Sequence, residues 1–342
     1  MTQQAPPGRA PKMADVGRLA GVSAQTVSRY FTGSGYVGTE TRARIEDAIE
    51  QLGYTLNQSA RNLRANSTRS IGVLLSGPSL YGAWTVMSGL NLAAQSSEYG
   101  LVTSPVEFVS DDPHVPQATH WALERLLMAR VDGIIISSSY LGIEDLLERV
   151  WEKVPVVMLS GRAWPNADSA TVDSFEAGRL ATEHLLELGH RRILHLAGPQ
   201  NTSEGYERER GYRDALTRAG VEALPVVSGD WSAESGEARG LEVDPHSFSA
   251  VFSGNDQMAL GFLAALRRRG RTAPQDFSVV GVDDMPDARY FTPPLTSMYM
   301  DFAALGRAGF EMIIERIRTG ERVPRRVIRP RLVVRESTAP FA

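Results

Sequence analysis

Six short apolar runs, each about one strand long, recur from position 70 onward and constrain the fold more than any other feature. They occupy residues 71–75, 131–136, 154–159, 193–196, 250–252 and 278–282, and amphipathic stretches of helical length separate them. A continuous apolar run, unlike an alternating one, suits a strand covered on both faces. Strands that alternate with helices build parallel sheets through right-handed crossovers. The expected fold class is therefore α/β, with two doubly wound parallel-sheet subdomains. The first three or four runs belong to one sheet and the rest to a second. A cleft between them should open at the carboxyl ends of the strands.

The first 69 residues follow a different pattern. Residues 15–29 read Asp-Val-Gly-Arg-Leu-Ala-Gly-Val-Ser-Ala-Gln-Thr-Val-Ser-Arg, which is two short helices joined by a tight turn. Val16, Leu19 and Ala20 are expected to form the apolar face of the first helix, with small Ala20 admitting a close crossing. Gly21 supplies the left-handed end of a helix, Val22 fills the corner, and Ser23 is an N-cap. The second helix points Val27 inward and offers Ala24, Gln25, Ser28 and Arg29 outward, as a recognition helix for a DNA major groove does. A third helix should start near Thr39 as its N-cap and bury Ile45, Ala48, Ile49 and Leu52. Charge agrees with that reading. The net charge is −4, yet residues 1–69 hold nine Lys or Arg and five acids, so the head is +4 and the body −8. A basic head on an acidic body confines phosphate attraction to one end.

A chain of 342 residues without cysteine has room for two or three domains and offers no disulfide, thiolate metal site or thiol nucleophile. No apolar run approaches the ~18–20 residues of a membrane span. Residues 1–11 lack an apolar signal core and are expected to be a disordered tail, with the protein in the cytoplasm. Gly33, Gly35 and Gly38 match the dinucleotide fingerprint G-x-G-x-x-G, but they follow a helix rather than a strand. His184 and His190, near a helix end, are expected to be ordinary cations beside the last carbonyls. No nucleophile–base pair or metal-ligand spacing stands out, so neither an enzyme nor a metal or organic cofactor is expected.

Several stretches in order resemble the lactose-repressor (LacI) family of bacterial transcription regulators. They include Ala20-Gly21-Val22-Ser23 with Thr26-Val27-Ser28-Arg29, Leu188-Gly189-His190, and Leu196-Ala197-Gly198-Pro199. Further along come Gly229-Asp230-Trp231-Ser232, residues 255–261 from Asn255 to Gly261, Gly281-Val282-Asp283-Asp284, and Val334-Arg335-Glu336-Ser337-Thr338. The resemblance covers residues 12–338. It implies a helix-turn-helix domain at 12–56, a hinge helix at 57–69 and an effector-binding, dimerising core at 70–338. Within the core it implies one subdomain of about 70–172 and 302–330 and another of about 174–299 and 331–338, of periplasmic-binding-protein type.

The resemblance also implies a function: a homodimeric repressor whose affinity for operator DNA is set by a small sugar or glycoside. Operator bases would be read by Ala24, Gln25 and Arg29, with Ser28 beside them; Arg pairs bidentately with guanine and Gln with adenine. In the hinge, Asn57, Ala60 and Leu63 would meet DNA, with Leu63 as a minor-groove wedge. The effector would be held by Ser76, Arg208, Asn255 and Asp283 under the ring of Trp231, a mixture that suits sugar hydroxyls and their C–H face. Ala24 stands where the lactose-type pattern has tyrosine, Ser160 where it has aspartate and Met300 where it has glutamine. A different operator is implied, and a galactoside is disfavoured. The chain ends without a leucine-heptad tail, so a dimer is expected. The alternative reading is a periplasmic-type sugar-binding transport protein, which shares the two-lobed body.

Overall fold

A computed structural model describes residues 11–54, 67–77, 79–107, 114–138, 140–141, 146, 150–162, 164 and 167–341. The chain forms two compact units, residues 1–66 and 67–342.

The first unit packs α1 (Met13–Ala20), α2 (Ala24–Thr32) and α3 (Thr39–Leu52) around Val16, Ala20, Val27, Ile45, Ala48 and Tyr54. Gly21 ends α1 at φ 67°, and Ser23 caps α2 by accepting the Thr26 N–H at 3.1 Å. Three expectations change. Leu19 is 46% exposed, and the buried face of α1 is Val16, Gly17 and Ala20. At about 100° per residue, Leu19 falls outside the arc those three define. Of the α3 residues expected inside, Ile45 and Ala48 are buried but Ile49 and Leu52 are only half-buried; Gly17 adds a close approach beside buried Ala20, since a Cβ there would lie 2.8 Å from the Val22 carbonyl oxygen. The N-cap of α3 is Gly38, so Thr39 is already the first helical residue.

The second unit contains, in order, β1 (Ser70–Ser76), α4 (Tyr81–Gln95), β2 (Gly100–Val106), α5 (Val115–Met128), β3 (Gly133–Ser137), β4 (Val156–Ser160) and β5 (Asp168–Val172). Then come α6 (Ser174–Glu187), β6 (Ile193–Ala197), α7 (Ser203–Arg218), β7 (Val227–Ser228), α8 (Ala233–Glu242), β8 (Ala250–Ser253), α9 (Asp256–Arg268) and β9 (Ser278–Asp283). The last elements are β10 (Thr296–Tyr299), α10 (Phe302–Thr319), β11 (Arg326–Ile328) and β12 (Arg331–Val333). Two six-stranded sheets result, in the orders β2-β1-β3-β4-β5-β11 and β7-β6-β8-β9-β10-β12. Each is doubly wound, with its order reversing beside its first strand. Ile71, Val73, Ile134 and Ile135 are fully buried in the first sheet, and Val251, Phe252, Val279 and Val280 in the second.

One pair departs from the all-parallel expectation: β12 runs antiparallel to β10. The chain leaves β11 at the cleft end of the first sheet and enters the second sheet from that same end. It can only run away from the cleft, against its neighbours. The apolar runs correspond to β1, β3, β4, β6, β8 and β9 and leave β2, β5, β7, β10, β11 and β12 unannounced; β5 and β10 escaped because they carry polar residues inside. Asp168, Ser169 and Thr171 of β5 and Thr296 and Ser297 of β10 are all buried. Their partners come from distant sequence: Arg322 donates to Asp168 at 2.5 Å, and Ser297 donates to Asp256 at 2.6 Å.

His184 and His190 are not helix-end cations. Burial lowers both below the ordinary imidazole range. His184 Nε2 meets Thr338 Oγ1 at 3.1 Å, and His190 Nε2 lies 2.9 Å from Ser278 Oγ and 3.1 Å from the Ala339 carbonyl. These neutral rings fasten Thr338 to α6 and Ala339 to the start of β9.

The crossing of α6 on α7 decides where the cleft side of α7 stands. A Cβ at Gly178 would lie 2.2 Å from the carbonyl oxygen of Arg208. A side chain there must push α7 outward. Gly178→Ala is therefore expected to lower stability by about 1–3 kcal/mol, the usual range for overpacking. The check is a fall in the urea midpoint with an unchanged denaturant slope.

Candidate functional site

Two surfaces carry the residues singled out by sequence, one in each unit. In the first unit, the outward face of α2 presents Ala24, Gln25 and Arg29, all exposed, with Ser28 half-buried beside them. The face is rigid because its helix is closed at both ends. Ser23 caps its start, and Gly33, at φ 63°, closes its end by donating to the Arg29 carbonyl. The far side is held by Tyr30, which donates to Glu46 at 3.0 Å and lies under Arg42. Arg29 runs along Gly35, where an added Cβ would sit 3.5 Å from its Cδ. A short, capped helix with a small residue, an amide and a guanidinium on one open face can enter a groove and read base edges. Asn57, Ala60 and Leu63 lie outside the described residues.

In the second unit, a cleft opens where the strands of both sheets end. It holds about 670 Å³ of space not filled by protein, open solvent at its mouth included. Ser76 closes β1, Asn255 caps α9 and Asp283 ends β9; Arg208 reaches in from α7 and Trp231 from the turn before α8. All five sequence-predicted residues therefore line one cavity.

Their chemistry is unequal. Arg208 is 3% exposed. Its guanidinium donates to the Gly254 carbonyl at 2.5 Å and stands 5.4 Å above the centre of the Trp231 ring. Its nearest carboxylate is Asp283, at 3.6 Å, too long for a hydrogen bond. Arg208 Nε and Asp283 Oδ1 are both buried without a hydrogen-bond partner among the described residues. Burial pushes the Asp283 carboxyl up to about 7; Arg208 pulls it down and the charge of Glu204 pushes it further up. Asp283 also sits at φ 109°, a backbone region that L-residues enter only when their surroundings force it.

Asn255 serves the scaffold first. Its Oδ1 accepts the Met258 N–H at 2.9 Å, and its Nδ2 donates to the Trp231 carbonyl at 2.9 Å. Trp231 is itself at φ 80°, so the Asn255 amide clamps a strained residue in place. The indole lies over Gly198, where a Cβ would be 2.1 Å from the ring. Ser160 lines the cleft, but its hydroxyl donates to the Arg162 carbonyl and accepts from Trp164 Nε1. Ser76 donates to Ser138. Met300 is buried in the core and does not line the cavity. It follows β10, and its side chain packs with the apolar cluster of both sheets.

Sequence reasoning missed Tyr81, Ser138, Glu204, Gln257 and Phe302, which also line the cleft. Gln257 lay inside a stretch already singled out. Nothing local marked Tyr81 or Glu204, because each belongs to the first turn of an amphipathic helix and reads as solvated.

A model described as "Bacterial regulatory proteins, lacI family" matches residues 12–57, and a "Periplasmic binding protein-like domain" matches residues 182–338. The chain is 35% identical over 336 residues to the HTH-type transcriptional repressor PurR of Edwardsiella ictaluri (strain 93-146), covering 95% of this chain and 96% of that protein. Among solved structures it resembles the lac repressor dimer bound to operator and the anti-inducer ONPF. The TM-score is 0.89 at 30% identity, over 97% of this chain and all of that one. It also resembles the transcriptional regulator CelR in complex with cellobiose, with a TM-score of 0.71 at 31% identity, over 96% of this chain and 99% of that one.

The raised Asp283 carboxyl has a consequence for stability. Its folded value lies above the value of about 3.9 expected of an unfolded aspartate. Between about pH 4 and 7 the folded protein keeps a proton that the unfolded chain has released, so stability from this group is present at low pH and lost as pH rises through 7. Asp283→Asn is expected to raise the melting temperature at pH 8, by the equivalent of about 2–4 kcal/mol, with the gain shrinking toward pH 5. Thermal scans of both proteins at the two pH values measure it.

Proposed function

The chain belongs to the lacI family of bacterial regulatory proteins and is a DNA-binding transcription regulator, and from that premise we propose that a sugar or glycoside in the cleft controls its grip on a near-palindromic operator. Two copies would act together, because each chain offers one recognition helix and symmetry must supply the second half-site. In this reading Ala24, Gln25, Ser28 and Arg29 face the operator bases. Asn57, Ala60 and Leu63 form the hinge contact with the minor groove. Ser76, Arg208, Asn255 and Asp283 meet the effector under Trp231. The protein works in the cytoplasm, where the DNA is, and no catalytic step is assigned to it. Among the described residues no helix is long and apolar enough to cross a membrane.

One observation carries the effector reading. A buried carboxylate oxygen and a buried guanidinium N–H, on Asp283 and Arg208, lack hydrogen-bond partners beside an aromatic face in one cavity. Unmade buried hydrogen bonds cost roughly 1–3 kcal/mol each. A polyhydroxy ligand supplies a donor for the first and an acceptor for the second, while its C–H face covers the indole. The neighbouring structures support the class: one holds cellobiose, another holds the operator together with the anti-inducer ONPF.

Such a ligand shifts operator affinity only by its differential affinity for two states, and operator then shifts ligand affinity by the same factor. Calorimetry and gel-shift assays with a sugar panel are expected to find a sugar that changes operator affinity. Asp283→Ala should abolish that response. A normal response in Asp283→Ala would refute the site. At the DNA, Arg29→Ala is expected to weaken the preferred operator by about 1–3 kcal/mol and to relax base preference at one position per half-site. Equal weakening on all sequences would make Arg29 a phosphate contact instead.

A further inference from the structure

We propose that Glu204 sets the charge of the effector: the cleft takes a polyhydroxy ligand bearing a protonated amine, an amino sugar, and rejects anionic sugars. The proposal rests on the cleft being the effector site and adds the ligand's charge to it.

Two carboxylates, Glu204 and Asp283, line the cavity against one guanidinium, Arg208. No lysine or histidine is among the described lining residues. The cavity therefore holds too little positive charge to keep both acids ionised, and burial and the charge of Glu204 push Asp283 toward its neutral form before any ligand enters. Arg208 offsets only one of the two: it pairs with Asp283 at 3.6 Å and otherwise turns to the Gly254 carbonyl and the Trp231 face.

Glu204 is a placed group. It stands in the first turn of α7, where the helix dipole favours a negative charge. Its Oε2 accepts the Ser203 hydroxyl at 2.8 Å, and Ser203 Oγ in turn accepts the Gly161 N–H at 3.2 Å. Ser203 is 1% exposed, so this relay is shielded from water. The Glu204 stem lies over Gly161, where an added Cβ would be 2.9 Å from its Cγ. Gly161 follows β4 of the first sheet, and Glu204 opens a helix of the second. The carboxylate is thus held at the seam of the two lobes, with Asp283 at the end of β9. The second observation that marks a ligand is the Asp283 oxygen without a partner, in a residue 8% exposed.

A neutral hydroxyl can satisfy that oxygen but leaves the excess charge in place. An ammonium satisfies it with a charge-assisted bond and offsets the second carboxylate as well. A phosphate or carboxylate on the ligand adds further negative charge to a partly desolvated site that already strains to ionise its own acids.

The test is calorimetry of the full-length protein with matched sets in the gluco, galacto and manno series: the sugar, its 2-amino-2-deoxy form and its 6-phosphate. In at least one series the amino sugar is expected to bind about tenfold or more tighter than the neutral sugar, and the phosphate not to bind. Glu204→Gln keeps an acceptor for Ser203 and should reduce that preference to within about threefold. Neutral sugars binding as well as their amino forms, or a preference that survives Glu204→Gln, would overturn this proposal and leave the sugar cleft standing. If no member of any series binds the unmodified protein, the cleft reading and this proposal fall together.

Discussion

A buried guanidinium with too few partners is the constraint around which the cleft is arranged. Arg208 reaches the cavity only because Gly178 lets α7 lie against α6, and it stays there by one bond to the Gly254 carbonyl and by the face of Trp231. Trp231 in turn needs Gly198 beneath it and the Asn255 amide on its carbonyl. Asn255 also starts α9. Removing any one of these loosens the others. Two helices, the turn after β8 and the end of β9 are thereby held to a single geometry.

The same arrangement stores unfavourable energy where a ligand can release it. Asp283 is buried, strained in backbone, short of donors and pushed toward its neutral form. A protein selected for stability alone would replace it. A ligand donor that stabilises the charged carboxylate recovers that energy only in the state that binds it, which is the differential affinity a switch requires. The chain passes between the sheets three times, after β5, after β10 and after β11, so the two lobes that line the cleft are joined by three stretches of backbone.

In the first unit the physics is simpler. Caps at Ser23 and Gly33 and a core of six residues make a small helical unit whose outward face is free of structural duty. Half-buried Ser28 is the exception on that face. Leu19, exposed on the other flank of α1, shows that an apolar residue at helical spacing is not thereby core.

Much of this was legible locally. Strand-length apolar runs, a glycine with a left-handed backbone, a serine able to cap and the order of short motifs depend on neighbours in sequence, and so the sequence by itself determined two doubly wound sheets, the helix-turn-helix and the family. It also named five residues that meet in one cleft. What it could not contain was any property that depends on which distant groups are buried together. Strands β5 and β10 are polar and were invisible until Arg322 and Asp256 satisfied them. His190 reads as a helix-end cation until Ser278 and Ala339 surround it and burial keeps it neutral. Glu204 reads as a solvated first-turn acid until β4 brings Gly161 under its stem. Charge state, strain and access are set by desolvation and by partners remote in sequence, and only the tertiary structure decided them.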